Sequence, residues 1–280
     1  MSQRMRSFLR RRVPFAVRLR VRLVRRAVSD RLSGVRFAAQ KGQQSQFRYE
    51  WCRYERPIID YPGQEHLGLA KRKNQALLAA SLDGAVIRPG ETFSVWRLAG
   101  RPSARRGFLP AAALKDRQLT TDTGGATCLL STVLYNVGLL GPLQVFERHA
   151  HSVDSYGANR YFELGRDAAI EYGYLDLRLR NWHPWPLMLT VTVEESRIVA
   201  TLRGTLPRPF DVDVIVGEPE IVPVPTALAS GLVEPGDGKQ VLEEGLPGLR
   251  VRTRRLVTRA GMVICDEDLG LSVHHAVPRA

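Results

Sequence analysis

Thr121–Asn136 reads TDTGGATCLLSTVLYN, with Cys128 three residues after Gly125 and directly ahead of an apolar run. The run predicts a helix from about Ala126 to Leu140, closed by Gly141-Pro142. A cysteine in a first helical turn sits among backbone N–H groups that have no intrahelical acceptor, at the positive end of the helix dipole. Those donors favour a thiolate over a thiol, and the same groups can hold an oxyanion. Gly124 and Gly125 predict a close approach of substrate backbone, with Thr127 beside them as a third substrate or oxyanion residue. The competing reading is a small packing residue, because free cysteine is among the most buried residue types.

A thiolate also needs a base. ERHAHS, Glu147–Ser152, follows the next alternating stretch, Leu143 to His149, and a strand there would place His149 and His151 on one face. Two aspartates compete to orient the imidazole: Asp167 in GRDAAIEYG, expected just ahead of a strand, and Asp176 in YLDLRLRN. Cysteine on a helix with histidine on an adjacent strand is the papain- and transglutaminase-like arrangement. A metal held by His149, His151 and a carboxylate is the weaker alternative, because Cys-x-x-Cys and His-Glu-x-x-His spacings are both missing; no cofactor is expected. Cys52 and Cys265 read as structural, and His274-His275 as surface.

Working outward, Leu67 to Leu82 has helical spacing and ends at Asp83-Gly84. Ala85 to Trp96 reads as extended with a turn at Pro89-Gly90, and Leu109 to Leu119 as a hairpin around Lys115-Asp116. Alternation over Ala169 to Leu179 and over Leu187 to Leu202, with a turn near Glu195-Ser196, predicts strands. Leu249 to Asp266 reads as a hairpin around Arg259-Ala260-Gly261. Early helices and late strands give an α+β class in which the cysteine helix packs on a mainly antiparallel sheet, with a small C-terminal β-rich segment. The expected units are a basic arm over 1–36, an α+β domain over 37–205 and a β-rich extension over 206–280.

Net charge is +13, and its placement is uneven. Residues 1–36 hold twelve arginines against Asp30, which leaves +2 for the rest. Val13, Val17, Val21, Val24 and Val28 would form one stripe on a helix, although Val17 to Leu23 also alternates as a strand would. A basic amphipathic helix suits an anionic membrane surface; alternatively the stripe docks on the chain's own domain. Nucleic acid is the least supported partner, since only Phe8 and Phe15 are interleaved with the arginines. Arginines interrupt every apolar segment that could serve as a secretory signal, and Arg11-Arg12 lacks the apolar stretch a twin-arginine signal needs. No segment approaches a membrane span. The expectation is a cytoplasmic protein, peripheral on the inner membrane face, and three widely spaced cysteines fit a reducing compartment.

Four ordered motifs, RPGETFSVWRLAG (Arg88–Gly100), GGATCLLSTVLYN (Gly124–Asn136), ERHAHS and GRDAAIEYGYLDLRLRN (Gly165–Asn181), resemble the VanW family over roughly Phe37 to Leu202. The resemblance implies cysteine-dependent acyl transfer of the L,D-transpeptidase or carboxypeptidase kind on peptidoglycan stem peptides or their precursors. It assigns the nucleophile to Cys128 and the histidine to His151, and it matches Asp167 to a Gly-x-Asp-Ala segment. The sequence departs from the family pattern at Ala126, where a third glycine is usual, and at Leu129, where a glutamine is usual. Those departures favour a second expectation, a non-catalytic accessory protein that binds a cell-wall precursor.

Overall fold

The computed structural model describes residues 13–60, 65–115, 118–154, 156–224 and 247–276. Arg11-Arg12 and Asp116 lie outside them. In chain order, helix α1 (Phe15–Leu32) leads into β1 (Arg36–Phe37), β2 (Gln40–Lys41) and β3 (Tyr49–Pro57). Helix α2 (Glu65–Leu82), β4 (Ala85–Ile87), β5 (Glu91–Ser94), the five-residue α3 (Val95–Ala99) and the hairpin β6 (Pro110–Lys115) and β7 (Gln118–Thr123) come next. Helix α4 (Cys128–Leu140) precedes β8 (Gln144–Glu147), β9 (Arg178–Arg180), β10 (Leu187–Val193) and β11 (Arg197–Gly204). The chain closes with β12 (Asp211–Val216), β13 (Glu220–Val222), β14 (Gly248–Arg259) and β15 (Met262–His274).

The class is α+β with mainly antiparallel sheets. One sheet runs β2-β4-β10-β11-β3, antiparallel throughout. A second runs β1-β5-β9-β8, and its β1–β5 pair is parallel. The C-terminal strands form a third sheet, order β12-β14-β13 with β15 also on β14. Its long hairpin turns at Ala260 and Gly261, both at positive φ (49° and 77°), the backbone that a two-residue loop requires.

Helix α4 is apolar almost all round, as a core helix is. It packs on β3 and β11, and Leu130, Val133, Leu134 and Val137 are fully buried. Its C-terminal carbonyls would be orphaned there. Arg255 on β14, itself 2% exposed, donates to the carbonyls of Leu139 at 3.3 Å and of Leu143 at 2.9 Å. A cation at the negative end of the dipole both caps the helix and ties the C-terminal sheet to it.

Three expectations are corrected. Residues 169–177 do not form a strand. The segment is instead a tight turn, bridged Glu171 to Leu175 around Gly173, with Tyr172 packed on Trp96 and Tyr174 on Phe15. His149 and His151 lie beyond the end of β8 rather than on it. His274 is 1% exposed, with its ring stacked on Phe162 at 5.9 Å, so it belongs to the interior.

Helix α1 is a helix, not a strand, and it docks on its own domain by a face other than the valine stripe. Leu19 is 6% exposed and packs against Gly173; Phe15 stacks on Tyr174 at 6.3 Å and Arg22 lies over the same ring. Asp30 takes both guanidinium nitrogens of Arg178, at 2.6 and 3.0 Å, and Arg26 pairs with Glu147. Burial would raise the Glu147 pKa, but His149, Arg26 and Arg178 outweigh it and hold the carboxyl at about 2. No helix among the described residues is long and apolar enough to cross a membrane.

Candidate active site

Residues Gly124–Thr127 bring the chain from β7 to the start of α4, and they are clamped from α2. Asn74 donates to the carbonyls of Leu109 (2.8 Å) and Gly125 (3.1 Å), and Gln75 to that of Ala126 (3.0 Å). The glycines serve the chain's own packing. A Cβ on Gly125 would overlap the Ala111 carbonyl and lie 2.7 Å from that of Ala112, and one on Gly124 would lie 2.5 Å from Pro102 Cβ. Thr127 Oγ1 donates to the Gly124 carbonyl at 3.2 Å. Ala126 is at φ 61°, the left-handed region that costs a residue with a Cβ roughly 1 kcal/mol or more.

Cys128 opens α4, half-buried, with its Sγ 3.8 Å from the Ile170 carbonyl oxygen. His151 is packed face to face on Phe162 at 5.3 Å and edge-on to Tyr161. Asp167, fully buried, receives two N–H groups from residue 151: the backbone N–H at 2.7 Å and ring Nδ1 at 2.6 Å, both on Oδ2. Oδ1 is taken by Arg148 at 2.7 Å, whose Nε also donates to the Asp167 carbonyl at 2.6 Å. Burial on its own would lower the His151 pKa. The hydrogen bond to Asp167 and the neighbouring Cys128 side chain overcome it and raise the pKa from 6.5 to about 10. Burial pushes Asp167 the other way, and His151 and Arg148 hold it at about 2.

Cys128, His151 and Asp167 are thus brought together, while Asp176 and His149 are engaged elsewhere. Asp176 accepts from Ser94 Oγ at 2.6 Å, Trp96 N at 3.2 Å and Arg178 at 3.1 Å. Burial raises its pKa despite those partners. His149 Nε2 bonds Glu147 at 3.0 Å. Gly124, Gly125 and Thr127 line the same cleft as Cys128, which has a volume of about 610 Å³ and is walled by Trp96, Tyr156 and Tyr172, with Phe15 and Leu19 contributed by α1. A second, more open hollow of about 660 Å³ lies between residues 145–152 and β15 and includes none of the three. Among the described residues no cluster of three or more His, Cys, Asp or Glu side chains could hold a metal ion. Burial pushes the Cys52 thiol up to about 12 against the pull of Arg208, which leaves it inert near neutral pH.

Several contributors escaped the sequence reading. Tyr161 places its hydroxyl 2.9 Å from His151 Nε2. Ser131 donates to the Ala168 carbonyl at 2.6 Å, Thr132 Oγ1 accepts from the Ala168 N–H at 3.1 Å, and Asn136 donates to the Arg166 carbonyl at 2.9 Å. These three pin the segment that carries Asp167. Their signal was available: polar side chains at 131, 132 and 136 on an otherwise apolar, buried helix must find partners.

Comparison with known proteins finds similarity over the part of the chain that holds Cys128, His151 and Asp167. Residues 70–203 match a family described as VanW like protein. Vancomycin B-type resistance protein VanW of Enterococcus faecalis (strain ATCC 700802 / V583) is 34% identical over 127 residues, 45% of this chain and 46% of that protein. The uncharacterized protein YoaR of Bacillus subtilis (strain 168) is 27% identical over 133 residues, 48% of this chain and 43% of that protein. The chain therefore spans less than half the length of either relative. No solved structure matches it.

Proposed function

Residues 70–203 form a VanW-like domain, and from that premise we propose that the chain is a cysteine acyltransferase acting on peptidoglycan-type peptides. The observation that carries the reading is the Cys128–His151–Asp167 constellation at the N-terminus of a buried helix, a nucleophile and base oriented by a third group. With His151 protonated and Cys128 as thiolate, Sγ attacks a peptide carbonyl carbon next to a D-residue. The first-turn N–H groups of α4 receive the oxyanion. As the C–N bond breaks, the His151 proton passes to the leaving amine and the acyl group remains as a thioester. An incoming amine or water gives up a proton to His151 and attacks the thioester, which completes transpeptidation or carboxypeptidase hydrolysis and restores the thiolate–imidazolium pair. The papain-like helix-and-sheet comparison belongs to this proposal, as does a connection with vancomycin resistance, which rests on the name of one relative.

The test is turnover of a stem tetrapeptide by the full chain, followed by mass spectrometry for the thioester and for products. Cys128→Ser and His151→Ala should each abolish turnover. A second reading, precursor binding without chemistry, draws on Tyr161, whose hydroxyl already occupies His151 Nε2, and on Leu129, a buried apolar side chain where the family resemblance leads one to expect glutamine. Binding of the tetrapeptide that survives Cys128→Ser, with no turnover by the wild type, would establish that reading over the first.

A further inference from the structure

The valine stripe is left uncovered by the docking of α1. Leu19, Arg26 and Asp30 point into the domain, whereas Val17, Val21, Val24 and Val28 on the opposite side are 49%, 52%, 57% and 52% exposed, and Leu32 extends the row at 84%. Positions 17, 21, 24, 28 and 32 fall on one helical face about 22 Å long. Arg20 and Arg31 flank that face on one side and Arg18 and Arg25 on the other, by the helical spacing of 100° per residue. Asp30, the only acid before residue 37, is spent on Arg178, and among the described residues no carboxylate pairs with Arg20, Arg25 or Arg31.

From this geometry we infer that the outer face of α1 is a docking surface for an anionic lipid bilayer. The apolar row enters the acyl boundary while the arginine rows meet lipid phosphates. A second copy of the chain fits poorly, because two such faces would set arginine rows against each other with no acid to separate them. A nucleic-acid backbone would leave the central valines without a partner. The inference is independent of the chemistry at Cys128. It also has a geometric corollary: Phe15 and Leu19 on the inner side of the same helix line the cleft, so the bilayer and the cleft lie on opposite sides of one helix.

Co-sedimentation of the full chain with phosphatidylcholine vesicles and with mixed phosphatidylcholine–phosphatidylglycerol vesicles tests it. Each arginine near an anionic surface multiplies partitioning by about fivefold, so R20Q/R25Q/R31Q together should weaken binding to the mixed vesicles by about a hundredfold. Binding of the wild type should fall with salt, and V21S/V24S, changed at exposed positions, should weaken it at least tenfold while circular dichroism is unaltered. Equal binding of the wild type to neutral and mixed vesicles would overturn the inference. So would undiminished binding of V21S/V24S, or a dimer in buffer that V21S/V24S dissociates.

Discussion

Asp167→Asn removes the one carboxylate that keeps His151 charged in a buried setting. The aspartate accepts the residue 151 backbone N–H and ring Nδ1 on one oxygen and Arg148 on the other. An asparagine of the same size replaces one acceptor by a donor, which must face either the imidazole or the guanidinium. With both Asp167 contributions gone and burial still acting to lower it, the His151 titration midpoint should drop from about 10. Stability moves with it. A histidine raised in the folded state contributes fully below 6.5 and loses that contribution as pH rises through about 10. At about 1.4 kcal/mol per pH unit the interval caps the effect at roughly 5 kcal/mol, part of it owed to Cys128. Imidazole ¹⁵N NMR against pH reads the midpoint, and urea unfolding at neutral and alkaline pH reads the stability. A His151 midpoint that stays near 10 in the variant would refute the reasoning, as would a wild type whose stability climbs as pH rises from 6.5.

Other consequences can be checked by simpler means. Ala126→Gly should raise stability by about 1 kcal/mol in urea unfolding, because it relieves the left-handed backbone at φ 61°; a loss of stability would mean that the alanine methyl has a packing role. Gly173→Ala sets a Cβ against Leu19 at φ 79° and should release α1, seen as rapid tryptic cleavage within 18–26 while the rest of the chain resists. Glu147 is held at about 2, so its contribution to α1 docking is present above 4.5 and is lost as pH falls through about 2. Hydrogen-exchange protection of the α1 amides should therefore fade in acid ahead of α4, and parallel loss in both helices would count against the Arg26–Glu147 anchor.

Much of the site could be read from residues 124–136, 147–152 and 165–181 because a cysteine at a helix start, a histidine and a carboxylate are chemically conspicuous. What was missed follows from how partners are chosen in three dimensions. Sequence position favours Asp167 over Asp176, but the partners that separate them are spatial: α4 pins residues 166–168 with Ser131, Thr132 and Asn136 while Ser94 and Arg178 claim Asp176. The alternation of Ile170, Tyr172 and Tyr174 mimics a strand, but Gly173 at positive φ closes a tight turn there, and the large side chains find partners in Trp96 and in Phe15 of α1 instead of a neighbouring strand. In sequence the arm shows one apolar face with two competing uses. Leu19 and the polar anchors Arg26 and Asp30 supply a second face that a count of valines overlooks.

The cleft is composite in origin. Cys128, His151 and Asp167 all fall within the matched residues 70–203, but Phe15 and Leu19, which wall the same cleft, come from a helix outside that span. The walls of the cleft are therefore encoded in separable stretches of gene. A lineage could keep the matched span unchanged and reshape the cleft by exchanging its first forty codons.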